Sequence, residues 1–425
     1  MTDKKKRNIY LERYAWPEFL SEDMPIDSDT ELSVVIPCHN EPDLISSLRS
    51  LANCDDPGCG TEVIVIINQG TGCAPEIDRQ NEKTYQEALH WAEKTALPFR
   101  LIVKWVKDLP KKHAGVGLAR KIGMDEAVRR FESIGKDGVI ICFDADSLCE
   151  KNYLTEIRSF FKQHPHMPGC SIHFEHPLEG PLAPEIYDGI ATYELHLRYY
   201  VDALRWAGHP FAYQTIGSSM ASRSSVYQKQ GGMNRRKAGE DFYFLQKIIE
   251  LGNFEDLTTT KVIPSPRASD RVPFGTGRAI SEWLEEKKEI DLTYHPDAFV
   301  DLKELFASPK KLYVSKDAKN VYEGLPESIR RFISLQEFNV KIESLLAESR
   351  KEETFRKKFF HWFNAFTTLK FVHFYRDEVK PNVNVKEACL WLFGKYGMEP
   401  QGKDTIEILK QIRAIDSKKI TTSIS

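Results

Sequence analysis

The chain has no long apolar run, no surplus of charge of either sign and no paired-cysteine motif. No stretch approaches the ~20 apolar residues of a membrane-spanning helix, and the basic start Met1-Thr2-Asp3-Lys4-Lys5-Lys6-Arg7 is followed by no apolar signal core, so a cytoplasmic protein is expected. Its 59 Lys and Arg nearly balance 62 Asp and Glu, which removes the basic footprint of a nucleic-acid partner. The eight cysteines, at 38, 54, 59, 73, 142, 149, 170 and 389, contain no C-x-x-C pair and no regular spacing, so neither a disulfide framework nor a metal cage is legible. A zinc site among Cys54, Cys59 and Cys73 lacks an identifiable fourth ligand. Internal repeats and low-complexity tracts are also missing.

What is present is enough apolar material for a large core: 425 residues, 41% hydrophobic, sufficient for two or three domains or for one elaborated domain with an appendage. Strand-like runs at Leu32–Ile36, Val63–Ile67, Phe99–Trp105 and Val139–Phe143 alternate with helical patterns such as Ile77–Ala96 and Gly115–Phe131. That alternation predicts βαβ units around a parallel sheet, an α/β fold. From about residue 281 the pattern turns helical, at Glu282–Ile290, Glu327–Ser349 and a face formed by Phe355, Phe359, Trp362, Phe366 and Leu369. The expected division is therefore 1–280 and a mainly helical 281–425, with a disordered tail from Asp416 to Ser425. Arg356-Lys357-Lys358 beside the aromatic face admits peripheral contact with a membrane, although packing on the first domain or on a second subunit of a homo-oligomer is the preferred reading.

In open α/β sheets ligands bind beyond the carboxyl ends of the strands, which directs attention to the residues following each one. After Val139–Phe143 come Asp144 and Asp146, two carboxylates whose mutual repulsion a divalent cation would convert into coordination. An Asp-rich turn is the plainer alternative. The first strand leads into Pro37-Cys38-His39-Asn40-Glu41-Pro42, a polar turn able to face a nucleotide or to cap the next helix. The second leads into Asn68-Gln69-Gly70-Thr71-Gly72, where backbone can approach a ligand. At Lys111–Arg120 a glycine-bearing helix start with nearby cations suits an anion; Lys112 and Arg120 are its functional candidates, while Gly117 and Ala119 suit close packing on the sheet.

Taken in order, Val34-Val35-Ile36-Pro37-Cys38-His39-Asn40-Glu41, Gly117-Leu118-Ala119-Arg120-Lys121-Ile122-Gly123, Asp144-Ala145-Asp146 and Gly239-Glu240-Asp241 resemble family-2 glycosyltransferases of the GT-A fold, over roughly residues 31–265. The resemblance implies a Rossmann-like mixed sheet flanked by helices, a helical C-terminal extension, and transfer of a sugar from a nucleotide-diphosphate donor, a UDP- or GDP-sugar, to an acceptor hydroxyl. It implies nucleotide contacts at Pro37, His39, Asn40, Glu41, Asn68, Arg120 and Asp144, and a Mn2+ or Mg2+ ion held by Asp146 with Asp144 on the ribose or a metal-bound water. Asp241 matches the family's general base, with Glu240 orienting it or touching the acceptor; a helix cap is the plainer reading of Asp241. Arg267, Arg271 and Arg278, in the Gly/Pro-rich stretch 264–278, form a candidate lid over the diphosphate, or else a solvated loop.

The chemistry asks for these groups independently of the resemblance. Negative charge growing on the diphosphate calls for a metal and cations, and the attacking hydroxyl calls for a base. Single displacement with inversion is expected; a retaining GT-A enzyme is one alternative. A sugar-nucleotide-forming nucleotidyltransferase is another, disfavoured because no Gly-rich, Arg- and Lys-bearing loop follows the first strand. A binding module is disfavoured because all three carboxylates are present. Two departures matter. Asn68-Gln69-Gly70 replaces the acidic loop that usually meets the base, and Leu245-Gln246-Lys247-Ile248-Ile249 replaces the Q-x-x-R-W motif of processive synthases, so one sugar per encounter is expected. Tyr193, Tyr199 and Trp206, on a helical stretch in the acceptor region, could stack on a sugar but suit a core better, and Gly217 is expected to approach the donor sugar. The acceptor, whether glycan, lipid-linked sugar or small molecule, is not written in these residues.

Overall fold

The computed structural model describes residues 8–269, 275–285 and 291–417. These fall into two compact units: residues up to 187 with 215–285 and 415–417, and residues 188–214 with 291–414.

In the first unit, eight strands among the described residues build one mixed sheet: β1 (Thr30–Cys38), β2 (Gly60–Gly70), β3 (Arg100–Leu109), β4 (Val139–Cys142), β5 (Leu148–Cys149), β6 (Gly169–Phe174), β7 (Met220–Arg223) and β8 (Glu255–Ile263). Their spatial order is β3-β2-β1-β4-β7-β6-β8-β5. The first four in that order run parallel, and β7 reverses direction against β4. The chain is thus an α/β protein, as the alternation predicts. Val34 to Ile36 and Val63 to Ile67 have no exposed surface, the continuous β-branched burial of strands covered on both faces.

Helix Val116–Ser133 lies against β1 and β2, and its closest approach is at Gly123, where a Cβ would stand 2.5 Å from Val35 Cγ1. Gly117, expected to face the sheet, instead makes room for the loop before helix Glu240–Ile249: a Cβ there would meet the Arg236 carbonyl at 2.3 Å. This helix is buried around most of its circumference, and its charges are consequently paired. Asp125 accepts from Tyr10 Oη (2.6 Å), Tyr227 Oη (2.7 Å) and the Trp16 amide (2.7 Å), and pairs with Lys121 at 2.9 Å. Glu126 accepts from the Ser21 and Leu20 amides, and Arg130 donates to Glu62 Oε2 at 2.6 Å and to the Met24 carbonyl at 2.9 Å. Residues 10–24, unread in the sequence, are thereby strapped onto the helix.

The second unit is mainly helical. The single aromatic face expected from Phe355 to Leu369 is broken, because Asn364 caps a new helix by accepting from the amides of Phe366 and Thr367. Phe355 and Phe359 are core on helix Glu352–Trp362, whereas Phe366 and Leu369 belong to helix Ala365–Glu378. The expected helix Glu327–Ser349 is likewise two, Glu327–Phe332 and Leu335–Ala347, the second opened by a capping box of Ser334 and Glu337. Asp416 and Ser417 continue helix Thr405–Ser417 instead of starting a tail, and the rest of that tail lies outside the described residues. Glu282–Leu284 close helix Thr276–Leu284, and 286–290 of the helix expected there lie outside the described residues. No helix among the described residues is long and apolar enough to cross a membrane.

Tyr199 is core, its ring 5.5 Å from Phe299, and Trp206 packs edge-on to Trp391 at 5.0 Å beneath Lys303. Buried Glu194 accepts from Arg198 Nε (2.8 Å) and Arg413 Nη2 (2.6 Å), fastening two helices of this unit. His209 sits among Phe211, Phe306 and Phe360, its Nδ1 accepting from the Phe211 amide.

Burial lowers the His209 imidazole from 6.5 to about 4. The unfolded chain therefore binds this proton first, and stability present above pH 6.5 is lost as the pH falls towards 4. The loss is on the order of 3 kcal/mol. In urea titrations across that window, His209→Phe should show a flatter pH dependence than the parent chain.

Candidate active site

The site assembles at the carboxyl ends of β1, β2 and β4. Beyond β1 the backbone turns sharply: Asn40 takes a left-handed φ of 49°, and its amide donates to Asn81 Oδ1 at 2.9 Å. His39 donates from Nδ1 to the Asn68 carbonyl (2.8 Å), a tautomer that leaves Nε2 as an acceptor. His39, Asn40, Pro42, Ile77, Arg267, Ala268 and Ser269 line an open cavity of about 580 Å³. The nucleotide-contact candidates therefore separate. His39 and Asn40 face the cavity, whereas Pro37 is buried inside β1 and the Asn68 side chain is buried at the end of β2. Behind them runs a chain of amides that sequence reading did not single out: Gln69 Oε1 accepts from Trp105 Nε1 (3.0 Å) and Asn81 Nδ2 (3.2 Å), while Gln69 Nε2 donates to Asp78 (2.7 Å).

Asp144 and Asp146 leave β4 through a tight turn in which the Ser147 amide donates to the Asp144 carbonyl at 3.1 Å. Their carboxylates remain partly open, 38% and 23% exposed, enough to reach a ligand. Each already meets an arginine. Arg120 Nη2 stands 2.7 Å from Asp144 Oδ1, and Arg267 Nη2 stands 3.1 Å from Asp146 Oδ2. Two hard-oxygen carboxylates one residue apart form an incomplete cage, and among the described residues no group of three or more His, Cys, Asp and Glu could hold an ion alone. Such a pair suits Mg2+ or Mn2+ when phosphate oxygens supply the other ligands.

Arg120 is itself buried, and its other arm, Nη1, pairs with the buried carboxylate of Glu240. One guanidinium thus joins the turn after β4 to the start of helix Glu240–Ile249, groups about a hundred residues apart in the chain. Burial works against its charge, but Glu240 and Asp144 more than compensate and keep it protonated. Gly217 accommodates the fork: a Cβ there would lie 2.7 Å from Arg120 Nη1.

Gly239, in the left-handed region at φ 68°, turns the chain into the helix, and the Asn234 side chain donates to the Glu240 carbonyl at 2.9 Å. Burial pushes Glu240 up to about 7 against the pull of Arg120. Asp241 is also raised by burial, with Arg120 and the Phe242 amide opposing the rise. A half-buried carboxylate with elevated proton affinity is equipped to accept a proton.

Of the arginines expected in a lid, Arg267 reaches the site, pairing with the buried carboxylate of Glu41 as well as with Asp146. Arg278 pairs with Glu282 one turn along its own helix at 2.9 Å, and Arg271 lies outside the described residues. Lys112 is exposed. The Arg120 bridge was not legible beforehand, because its partners lie far away in the chain and the helix carries several other charges.

Residues 33–228 match the family model for glycosyl transferase family 2. Similar solved structures include residues 1–349 of S. aureus TarS in complex with UDP-GlcNAc, at 15% identity over 77% of this chain and 92% of that one, with a TM-score of 0.40. The same S. aureus fragment in complex with UDP gives 12% identity, 92% and 91% coverage and a TM-score of 0.38. No curated protein matches the sequence.

Removing the bridge should leave a buried carboxylate without its cation. Arg120→Met is expected to lower unfolding free energy at pH 7 by ~3–5 kcal/mol in urea titrations. Because losing the cation raises the Glu240 pKa further above 7, the deficit should grow as the pH rises above 7, where the carboxylate must ionise without its partner. Arg120→Lys, which keeps the charge but not the fork, should recover only part of it.

Proposed function

We propose that the chain, whose residues 33–228 match the model for glycosyl transferase family 2, is a member of that family and transfers a sugar from a UDP- or GDP-sugar to an acceptor hydroxyl by single displacement, with Asp241 as the base. The observation that carries this reading is the Arg120 bridge, which makes the Asp144–Asp146 pair and the Glu240–Asp241 pair parts of one cluster. Carboxylates for a metal-bound diphosphate and a carboxylate for proton removal are the two requirements of glycosyl transfer.

In this reading the nucleoside occupies the cavity at His39 and Asn40, where His39 Nε2 offers an acceptor to a base N–H. Asp146, with Asp144, would hold Mn2+ or Mg2+, which supplies positive charge to the departing diphosphate. Arg267 neutralises Glu41 and Asp146 before the donor arrives, and its guanidinium then turns to the diphosphate, where a planar fork suits phosphate oxygens. Arg120 keeps Glu240 and Asp144 in register, so Glu240 acts by positioning. Asp241, raised by burial, takes the acceptor proton as its oxygen attacks the anomeric carbon from the face opposite the diphosphate. Inversion follows from that single displacement. These groups lie within residues 1–280, the proposed catalytic domain, with 281–425 its helical companion. One sugar added per encounter, in the cytoplasm, to a glycan, lipid-linked or small-molecule acceptor completes the proposal.

A panel of UDP- and GDP-sugars with Mn2+ and candidate acceptors, monitored for nucleoside diphosphate, tests it. Release should require the metal, stop with chelator and return when Mn2+ or Mg2+ is restored; pyrophosphate as the product would overturn the reading. Asp241→Asn should lower kcat by ~10²–10⁴-fold while donor affinity is retained. Because burial raises the Asp241 pKa, the acid limb of the rate profile should lie above the ordinary carboxylate range, with activity falling as the pH drops through it. That limb should vanish from the residual activity of the Asn variant.

A further inference from the structure

Beside the site, but outside its chemistry, two thiols face one another. Cys54, two residues past helix Leu44–Ala52, and Cys149, on β5, have their sulfurs 3.7 Å apart across 95 residues of sequence. Both are half-buried and both are reduced. Ser50 holds the pair in place: its Oγ accepts from the Cys149 amide at 2.9 Å and lies 3.6 Å from Cys149 Sγ, while the Cys54 thiol points to the Ser50 carbonyl at 3.6 Å. A disulfide needs sulfurs ~2.05 Å apart, so ~1.7 Å remains to be closed, within reach of side-chain rotation and a small shift of the exposed segment around Cys54.

We infer that Cys54 and Cys149 are a modification site, forming a reversible intramolecular disulfide in response to peroxide. The roles within the pair follow from their surroundings. The Cys149 thiol, which donates to Cys54, lowers the Cys54 pKa and favours its thiolate, whereas Cys149 is raised by that same contact and by burial. Cys54 thiolate attacks one peroxide oxygen; the O–O bond breaks, Cys54 becomes a sulfenic acid and the other oxygen leaves as water after protonation. Cys149 sulfur then attacks Cys54 sulfur, giving up its proton as the S–O bond breaks and a second water departs. Two thiols and one peroxide yield one disulfide and two waters. Cys59, five residues from Cys54 in the chain, has its thiol pushed up by burial, which makes it a poor competitor.

The bridge would sit three residues past Asp146, and β5 pairs with β8 at Ile263 and Val262, just before the stretch that carries Arg267. It nevertheless rests on the thiol geometry alone and stands or falls independently of glycosyl transfer. The full-length protein, treated with a small excess of hydrogen peroxide, alkylated, digested and analysed by mass spectrometry, should yield a Cys54–Cys149 linked peptide. Two of the eight thiols should then be lost to alkylation, and dithiothreitol should restore both. Cys149→Ser should leave Cys54 as a sulfenic acid captured by dimedone, with an unchanged circular-dichroism spectrum showing that the variant is folded. Cys59→Ser should leave the link unchanged. Eight alkylated thiols after peroxide, a Cys54–Cys59 link or an intermolecular link would each overturn the inference.

Discussion

Everything at the site turns on one buried guanidinium. Arg120 is almost without solvent, and a lone cation in such a place would be prohibitively costly. Glu240 on one side and Asp144 on the other make it tenable, and they can do so only if the turn after β4 and the start of helix Glu240–Ile249 come to it. The requirement acts in reverse as well. Glu240, buried and raised by desolvation, needs Arg120 to remain anionic, so the two motifs are held together by mutual necessity. Gly217 and Gly117 supply the space, the first for the fork itself and the second for the loop that delivers Glu240.

The helix that carries Arg120 extends the same logic away from the site. Lys121, Asp125, Glu126 and Arg130 are buried along it, and each is matched by groups from the segment 10–24, from Glu62 or from Tyr227. A helix with charges around most of its surface cannot be stabilised by one apolar stripe. It is stable because surrounding chain satisfies it, the strap of residues 10–24 foremost. The helix is therefore clamped at both ends: by the active-site bridge near its start and by Arg130 near its finish.

Much of the first unit was legible because strands covered on both faces must be apolar throughout, and the runs in β1 and β2 state that directly. The carboxylates were legible for a related reason, since Asp144 and Asp146 directly follow such a run and charges there are conspicuous. Helix breaks in the second unit were harder. Asn364 interrupts an aromatic period that by itself continues smoothly, and Ser334 with Glu337 opens a helix inside what reads as one longer pattern. Capping side chains outweighed periodicity at both places, because a satisfied helix end is worth as much as another apolar contact.

The amino-acid sequence by itself determined the α/β class, the order of the motifs and the chemical types available to the site: paired hard-oxygen carboxylates, a Glu-Asp pair and several arginines. Only the tertiary structure decided which of them meet. It put Arg120 between Asp144 and Glu240, set Arg267 across Glu41 and Asp146, sent Arg278 to Glu282 instead, and buried Pro37 and the Asn68 side chain away from the cavity. The physical reason is that burial and charge pairing depend on distance through space, which local pattern does not encode. A strand's apolar run announces its own environment, whereas a buried arginine acquires its role from partners that only folding brings within reach.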